Sequence, residues 1–153
     1  VMFVVTVPGR LGVTAAFFAE VIISFLMMTM ILNTSNSAKW SRLTPYFVGL
    51  LLATFIAAES PISGTSLNPA RTFATAAFAN IWSGWWIYFT APLIAMFAAA
   101  EIFVHTRGLK AVLCAKLRHN GKAQCIFRCG YCAERIVEVT KQPLVFPTIT
   151  GLL

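Results

Sequence analysis

Three apolar runs, each long enough to cross a lipid bilayer, constrain this chain more than any other feature. They fall at about residues 14–33, 43–60 and 83–104. At about 1.5 Å rise per residue, 20 residues of helix cover about 30 Å, the thickness of a bilayer's hydrocarbon core. A soluble domain would need far more polar residues to cover three such helices. Of the 153 residues, 58% are hydrophobic and only 11% charged, against about 25% charged in typical globular domains. The sequence therefore predicts an all-α membrane protein.

The segment between the second and third runs, SPISGTSLNPARTFATAAFAN (residues 60–80), is too broken to cross a bilayer, but residues 69–79 are expected to form a short helix. Pro69 would take the first helical position, where its missing N–H costs nothing, and Asn68 the N-cap. Irregular backbone followed by half a helix is tolerated at membrane depth only where protein or a water-filled cavity surrounds it. The segment is thus expected to re-enter the membrane and line a permeation path. Read blandly, Asn68-Pro69 merely caps a surface helix.

Charge sets the expected orientation. Twelve Lys and Arg against five Glu give a formal net charge of +7. In a soluble protein that excess points to nucleic acid. Beside membrane spans it is a topology signal, because Lys and Arg stay in the cytoplasm, and no nucleic-acid partner is expected. Lys39 and Arg42 lie in the first connection, and eight of the basic residues lie from Arg107 onward. Both segments are expected to be cytoplasmic, with the re-entrant loop open to the outside. Trp82, Trp85, Trp86 and Tyr88 are expected at the outer interface. The chain opens on Val with no charged leader, so it is expected to start inside a longer reading frame.

Several residues then acquire expected roles. The Asn68 side-chain carbonyl can fix the loop while its amide NH2 donates into the path. The half-helix behind it adds roughly half a positive charge at its N-terminus, which orients water by its oxygen and repels cations. A lone Arg71 at membrane depth costs about 2.5–3.5 kcal/mol on insertion scales, so it is expected to line a wet cavity; snorkelling to the interface is the alternative. Ser63, Gly64, Thr65 and Ser66 are expected to be extended, with small side chains that let the backbone face the permeant. Glu20 is an intramembrane carboxylate and a functional candidate by default. Glu59 and Glu101, near run ends, are expected to be solvated. Ala91, Ala95 and Ala99 suit close helix packing, and Pro92 is expected to kink its helix.

The motif SGTSLNPARTF, residues 63–73, resembles the second Asn-Pro-Ala loop of the major intrinsic protein family, the aquaporins and glycerol facilitators. Glu20 in the first run and Ala91-Pro92 in the last agree with it, the latter resembling the family's Gly-Pro with Ala in place of Gly. The resemblance covers about residues 1–107 and leaves 108–153 as a basic, cysteine-bearing tail. It implies half of an aquaporin-like six-helix channel, the second repeat only: three transmembrane helices plus one re-entrant half-helix. It further implies that Asn68, Pro69 and Ala70 are the NPA motif, and that Ile56, Thr65 and Arg71 are three of the four filter positions. The carbonyls of Gly64, Thr65 and Ser66 would form the pore's acceptor ladder. Glu20 would brace the loop rather than move protons.

Strict water channels of the family usually carry His where Ile56 stands, whereas glycerol facilitators usually carry Asp where Thr72 follows the arginine. Water is the first expected permeant, with glycerol, urea or another small neutral solute kept open. Neither catalysis nor a cofactor is implied. The implied partners are the lipid bilayer, a missing N-terminal half with three more spans and the fourth filter residue, and, by family habit, three further copies in a homotetramer. The implied place is the cell membrane, multi-pass. The competing reading is a truncated membrane fragment that conducts nothing.

The tail holds Cys114, Cys125, Cys129 and Cys132, with His119 between the first two. Free reduced thiols in a cytoplasmic tail are the expectation; a tetrahedral zinc site or a redox sensor is the alternative. The Cys125-x3-Cys129-x2-Cys132 spacing also resembles the cluster motif of radical S-adenosylmethionine enzymes. That chemistry needs a barrel domain, and 21 residues follow Cys132.

Overall fold

The computed structural model describes residues 4–37 and 39–113. Among these residues all regular structure is helical: α1 (Gly12–Ser35), α2 (Thr44–Ser63), α3 (Pro69–Ala79) and α4 (Trp85–Arg107), with short 3-10 turns at Ser41–Leu43 and Leu109–Ala111. By length and composition α1, α2 and α4 can each cross a membrane. With 11 residues, α3 extends only about 16 Å. The tail cysteines and His119 lie outside the described residues.

The helix starts and stops follow local chemistry. Pro45 lies in the first turn of α2, where no N–H is needed. That helix runs past residue 60 and takes Pro61 into its last turn. A proline there forfeits a backbone bond, but hydrogen bonds to Ser63, described below, hold the turn in place. Gly64 ends α2 in the left-handed region, φ 84°, and donates its N–H to the Ser60 carbonyl at 2.9 Å. A Cβ on Gly64 would also lie 3.3 Å from Thr6 Cα. Gly64→Ala is therefore expected to destabilise the fold by about 1–2 kcal/mol, the cost of a left-handed L-residue. A lowered thermal midpoint in detergent would show it, and an unchanged midpoint would count against a firmly held cap.

α1 and α4 run parallel, with α2 antiparallel to both. The early parts of α1 and α4 meet in a core of Ala16, Ile87, Tyr88 and Ala91. At their far ends Arg107 Nη2 donates to Asn33 Oδ1 at 3.3 Å, and the Leu113 N–H to Asn36 Oδ1 at 2.8 Å. Ala91, Ala95 and Ala99 are all buried, the small-residue seam that permits close backbone approach. Ile23, Met27 and Phe55 form a second core between α1 and α2. Pro92 lies inside α4 and does not end it. Phe18, Ile22, Leu50, Ile94 and Phe97 point outward, faces suited to lipid or to another apolar partner.

This arrangement gathers Lys39, Arg42, Arg107 and Lys110 at one end. The loop after α2 and the half-helix α3 occupy the other, returning to the end where α4 begins. Trp82, Trp85 and Trp86 are 40–46% exposed there. Tyr88 departs from the expected interfacial position: it is completely buried, and its hydroxyl donates to the Ser63 carbonyl at 2.5 Å. Tyr88 shares the inward stripe of Ala91 and Ala95 and lies one turn into α4, whereas Trp85 stands at its first residue.

Candidate functional site

The site is organised by a carboxylate on α1. Glu20 is fully buried. Its Oε1 accepts the Ser63 hydroxyl at 2.7 Å and the Ser66 N–H at 2.6 Å, and its Oε2 accepts the Leu67 N–H at 3.0 Å. These bonds explain why the stretch from Gly64 is not extended as the sequence predicts. Consecutive N–H groups of an extended strand point to opposite sides, whereas those of a nest converge on one anion. Gly64, Thr65 and Leu67 accordingly have φ of 84°, 49° and 54°, and Ser63 is the last residue of α2. For a β-branched residue such as Thr65 the left-handed region is an outlier. Strain of this kind, about 1–3 kcal/mol per residue, persists only where surrounding bonds over-determine it.

Hydroxyl groups complete the brace. Ser63 Oγ accepts the Thr65 N–H at 3.1 Å. Ser66 Oγ donates to the Asn68 carbonyl at 2.9 Å and lies 2.6 Å from Thr72 Oγ1, which is 2.7 Å from Thr6 Oγ1. Each hydroxyl has one proton, so Thr72 donates to Ser66 and Thr6 to Thr72. Thr72 is therefore a buried tie, and the residue type after the arginine acts here on loop geometry.

Asn68 caps α3 from extended backbone, φ −146° and ψ 112°. Its Oδ1 accepts the Ala70 N–H at 2.9 Å, which leaves Nδ2 without a hydrogen-bond acceptor among the described residues. Asn68 and Ala70 are exposed, and Pro69 is half-buried. The half-buried Arg71 donates from Nη1 to the Thr65 carbonyl. Thr65 is buried, and its hydroxyl donates to Glu59 Oε2 at 2.6 Å.

Glu59 corrects an expectation. It is not solvated but 7% exposed. Ser63 follows it at the i+4 position, so both share the face of α2 that turns towards α1. Glu101 is exposed and pairs with His105 at 3.2 Å, as its place near a helix end predicts.

Of the sequence-predicted residues, the structure thus joins Glu20 to Ser66 and the backbone around it, and Thr65 to Arg71. Ile56 remains on an outward face, 48% exposed; its link to the group is its neighbour Phe55, whose carbonyl lies 3.4 Å from the Thr65 hydroxyl. Glu59, Tyr88 and Thr6 are not among the site residues that the sequence predicts, and Thr72 enters there only as a marker of substrate class. The Glu59/Ser63 spacing carries a usable signal; nothing local marks Thr6.

Residues 1–103 match the family described as Major intrinsic protein. The chain is 34% identical over 101 residues to Aquaporin NIP2-3 of Zea mays, covering 63% of this chain and 33% of that protein. It is 36% identical over 92 residues to Aquaporin TIP2-1 of Arabidopsis thaliana, covering 58% and 37%. It is 29% identical over 89 residues to Aquaporin Z of Bradyrhizobium diazoefficiens, covering 57% and 37%. The chain spans about a third of the length of these curated relatives. A match over two thirds of its residues, around a capped half-helix set among membrane-length helices, means that the chain belongs to the Major intrinsic protein family.

Proposed function

We infer that the chain forms part of a passive membrane channel for water or a small neutral solute, and supplies the second of two repeats that enclose the pore. The observation that carries this reading is the Asn68-capped half-helix joined to a loop pinned on buried Glu20. Irregular backbone at that depth belongs beside protein or water, and a loop so firmly braced can present fixed donors to a passing molecule.

Asn68 Nδ2 and the remaining Arg71 N–H groups are those donors. They bind the oxygen of a water or neutral solute, while the α3 N-terminus and the guanidinium oppose cations. The Thr65 carbonyl is engaged by Arg71, so the Gly64 and Ser66 carbonyls are the better candidates for acceptors along the path. No bond is made or broken in this chemistry. The relatives named above are aquaporins, which favours water over larger solutes.

The remaining pore wall, with a second Asn-Pro-Ala loop and the fourth filter position, is assigned to three further spans. Tetrameric assembly is part of the same reading, as is a place in the cell membrane. The end bearing Lys39, Arg42, Arg107 and Lys110 is assigned to the cytoplasm, with the tail beyond it. An impermeant thiol reagent applied to intact cells should then miss Cys114, Cys125, Cys129 and Cys132; strong labelling of these residues would overturn the orientation.

Substrate choice is tested by swelling of proteoliposomes holding the complete protein. Water equilibration should exceed that of protein-free vesicles by far more than glycerol or urea uptake does. Glycerol or urea uptake enhanced as strongly as water would make the protein a solute facilitator instead.

A further inference from the structure

We propose that Glu59 is a positioning residue of the filter: its carboxylate holds Thr65, and through the Thr65 carbonyl it sets where the Arg71 guanidinium stands. The proposal rests on the reading of Thr65 and Arg71 as filter residues.

Glu59 is nearly excluded from solvent, yet only one of its oxygens is used. Oε2 accepts the Thr65 hydroxyl at 2.6 Å, and buried Oε1 has no donor among the described residues. A carboxylate buried with so little compensation is costly, and the one bond it makes falls on the most constrained residue of the loop. The Thr65 hydroxyl has a single proton. The Phe55 carbonyl at 3.4 Å is a poor competitor for it.

Thr65 is fixed at three points: its N–H on Ser63 Oγ, its hydroxyl on Glu59 and its carbonyl on Arg71. Glu20 shapes the stretch around Thr65 but makes no bond to Thr65 itself, since its bonds go to Ser63, Ser66 and Leu67. At φ 49° a β-branched residue relaxes towards negative φ when released, and that rotation swings its carbonyl away from Arg71. Without Glu59, the Thr65 side chain has no anchor, and only its backbone contacts with Ser63 and Arg71 oppose the rotation. What Thr65 requires is an acceptor, not a charge, so glutamine should serve in place of glutamate.

The test uses the complete protein in proteoliposomes and reads the ratio of glycerol to water permeability together with proton leak. Arg71→Val is the reference arm and should change both. Glu59→Ala should shift both in the same direction, by about three- to tenfold, the effect of losing one hydrogen bond. Thr65→Val should match it, and Glu59→Ala combined with Thr65→Val should do no more than either alone. Glu59→Gln should remain within about twofold of the parent.

A change in Arg71→Val without one in Glu59→Ala would refute the role of Glu59 while leaving the filter reading intact. No change in Arg71→Val would refute the filter reading itself, and the proposal with it. A glutamine variant as altered as the alanine variant would mean that charge, not acceptance, matters, and would also overturn it. Should Glu59→Ala fail to insert, Thr65→Val decides, because it keeps the carboxylate and removes only the hydroxyl; wild-type selectivity in that variant would sink the proposal.

Discussion

Replacing Glu20 with Ala is expected to destroy the loop and, with it, most of the stability of the helix bundle. Three buried donors converge on this carboxylate: the Ser63 hydroxyl and the N–H groups of Ser66 and Leu67. Each unmatched buried donor costs about 1–3 kcal/mol. The substitution also frees the left-handed residues that these bonds hold in place. A loss of about 3–9 kcal/mol is a large part of the 5–15 kcal/mol that typically separates folded from unfolded protein. Glu20→Gln should be intermediate, since one amide oxygen can still accept but its NH2 faces a donor. The measurement is the monodisperse fraction and unfolding midpoint in detergent. An alanine variant as stable as the parent would show that the loop does not depend on Glu20.

Arg71→Val should have the second large effect, on selectivity rather than folding. It removes a full charge and several donors, and it releases the Thr65 carbonyl that Nη1 engages. Water and neutral-solute flux should persist or rise, since Ile56 already makes one wall of the proposed filter apolar. A proton or monovalent-cation leak should appear, yet stay small while the Asn68-capped α3 terminus still opposes cations. A pH-sensitive dye inside proteoliposomes reads the proton component. A variant with wild-type cation exclusion and wild-type solute selectivity would remove Arg71 from the filter.

What the sequence made legible was whatever depends on local pattern. Apolar runs of bilayer length located α1, α2 and α4 to within a few residues, and the Asn68-Pro69 pair located the start of α3. The Ala91, Ala95 and Ala99 seam followed from spacing alone. The rest depends on contacts between distant segments. The second apolar run ends at about residue 60, but the bonds that Ser63 makes with Glu20 and Tyr88 accompany a helix three residues longer. The stretch after Ser63 looked extended because small residues permit extension. Its coiled shape is imposed from outside by the Glu20 carboxylate, 46 residues away from Ser66 in sequence.

Tyr88 and Glu59 depart from the sequence expectation for a shared reason. Both lie close to helix ends, where aromatic and acidic residues usually meet water or headgroups. Facing direction overrides end position here: Tyr88 lies on the stripe of Ala91, and Glu59 on the face of Ser63. Thr72 drew attention as a marker of substrate class, but its hydroxyl is spent between Ser66 and Thr6. That link joins a residue before α1 to one inside α3, and no pattern within either segment announces it.

The central claim, that this loop and half-helix form one wall of a water pore, is tested most directly by osmotic shrinkage of proteoliposomes followed by light scattering. Two preparations are compared with protein-free vesicles: the 153-residue chain alone, and a complete protein in which these residues are joined to the three further spans proposed above. The complete protein should shrink vesicles faster in proportion to its content, while the chain alone should match bare lipid, because one half-helix leaves the pore open on one side. A complete protein that inserts and folds, yet passes water no faster than bare lipid, would contradict the account.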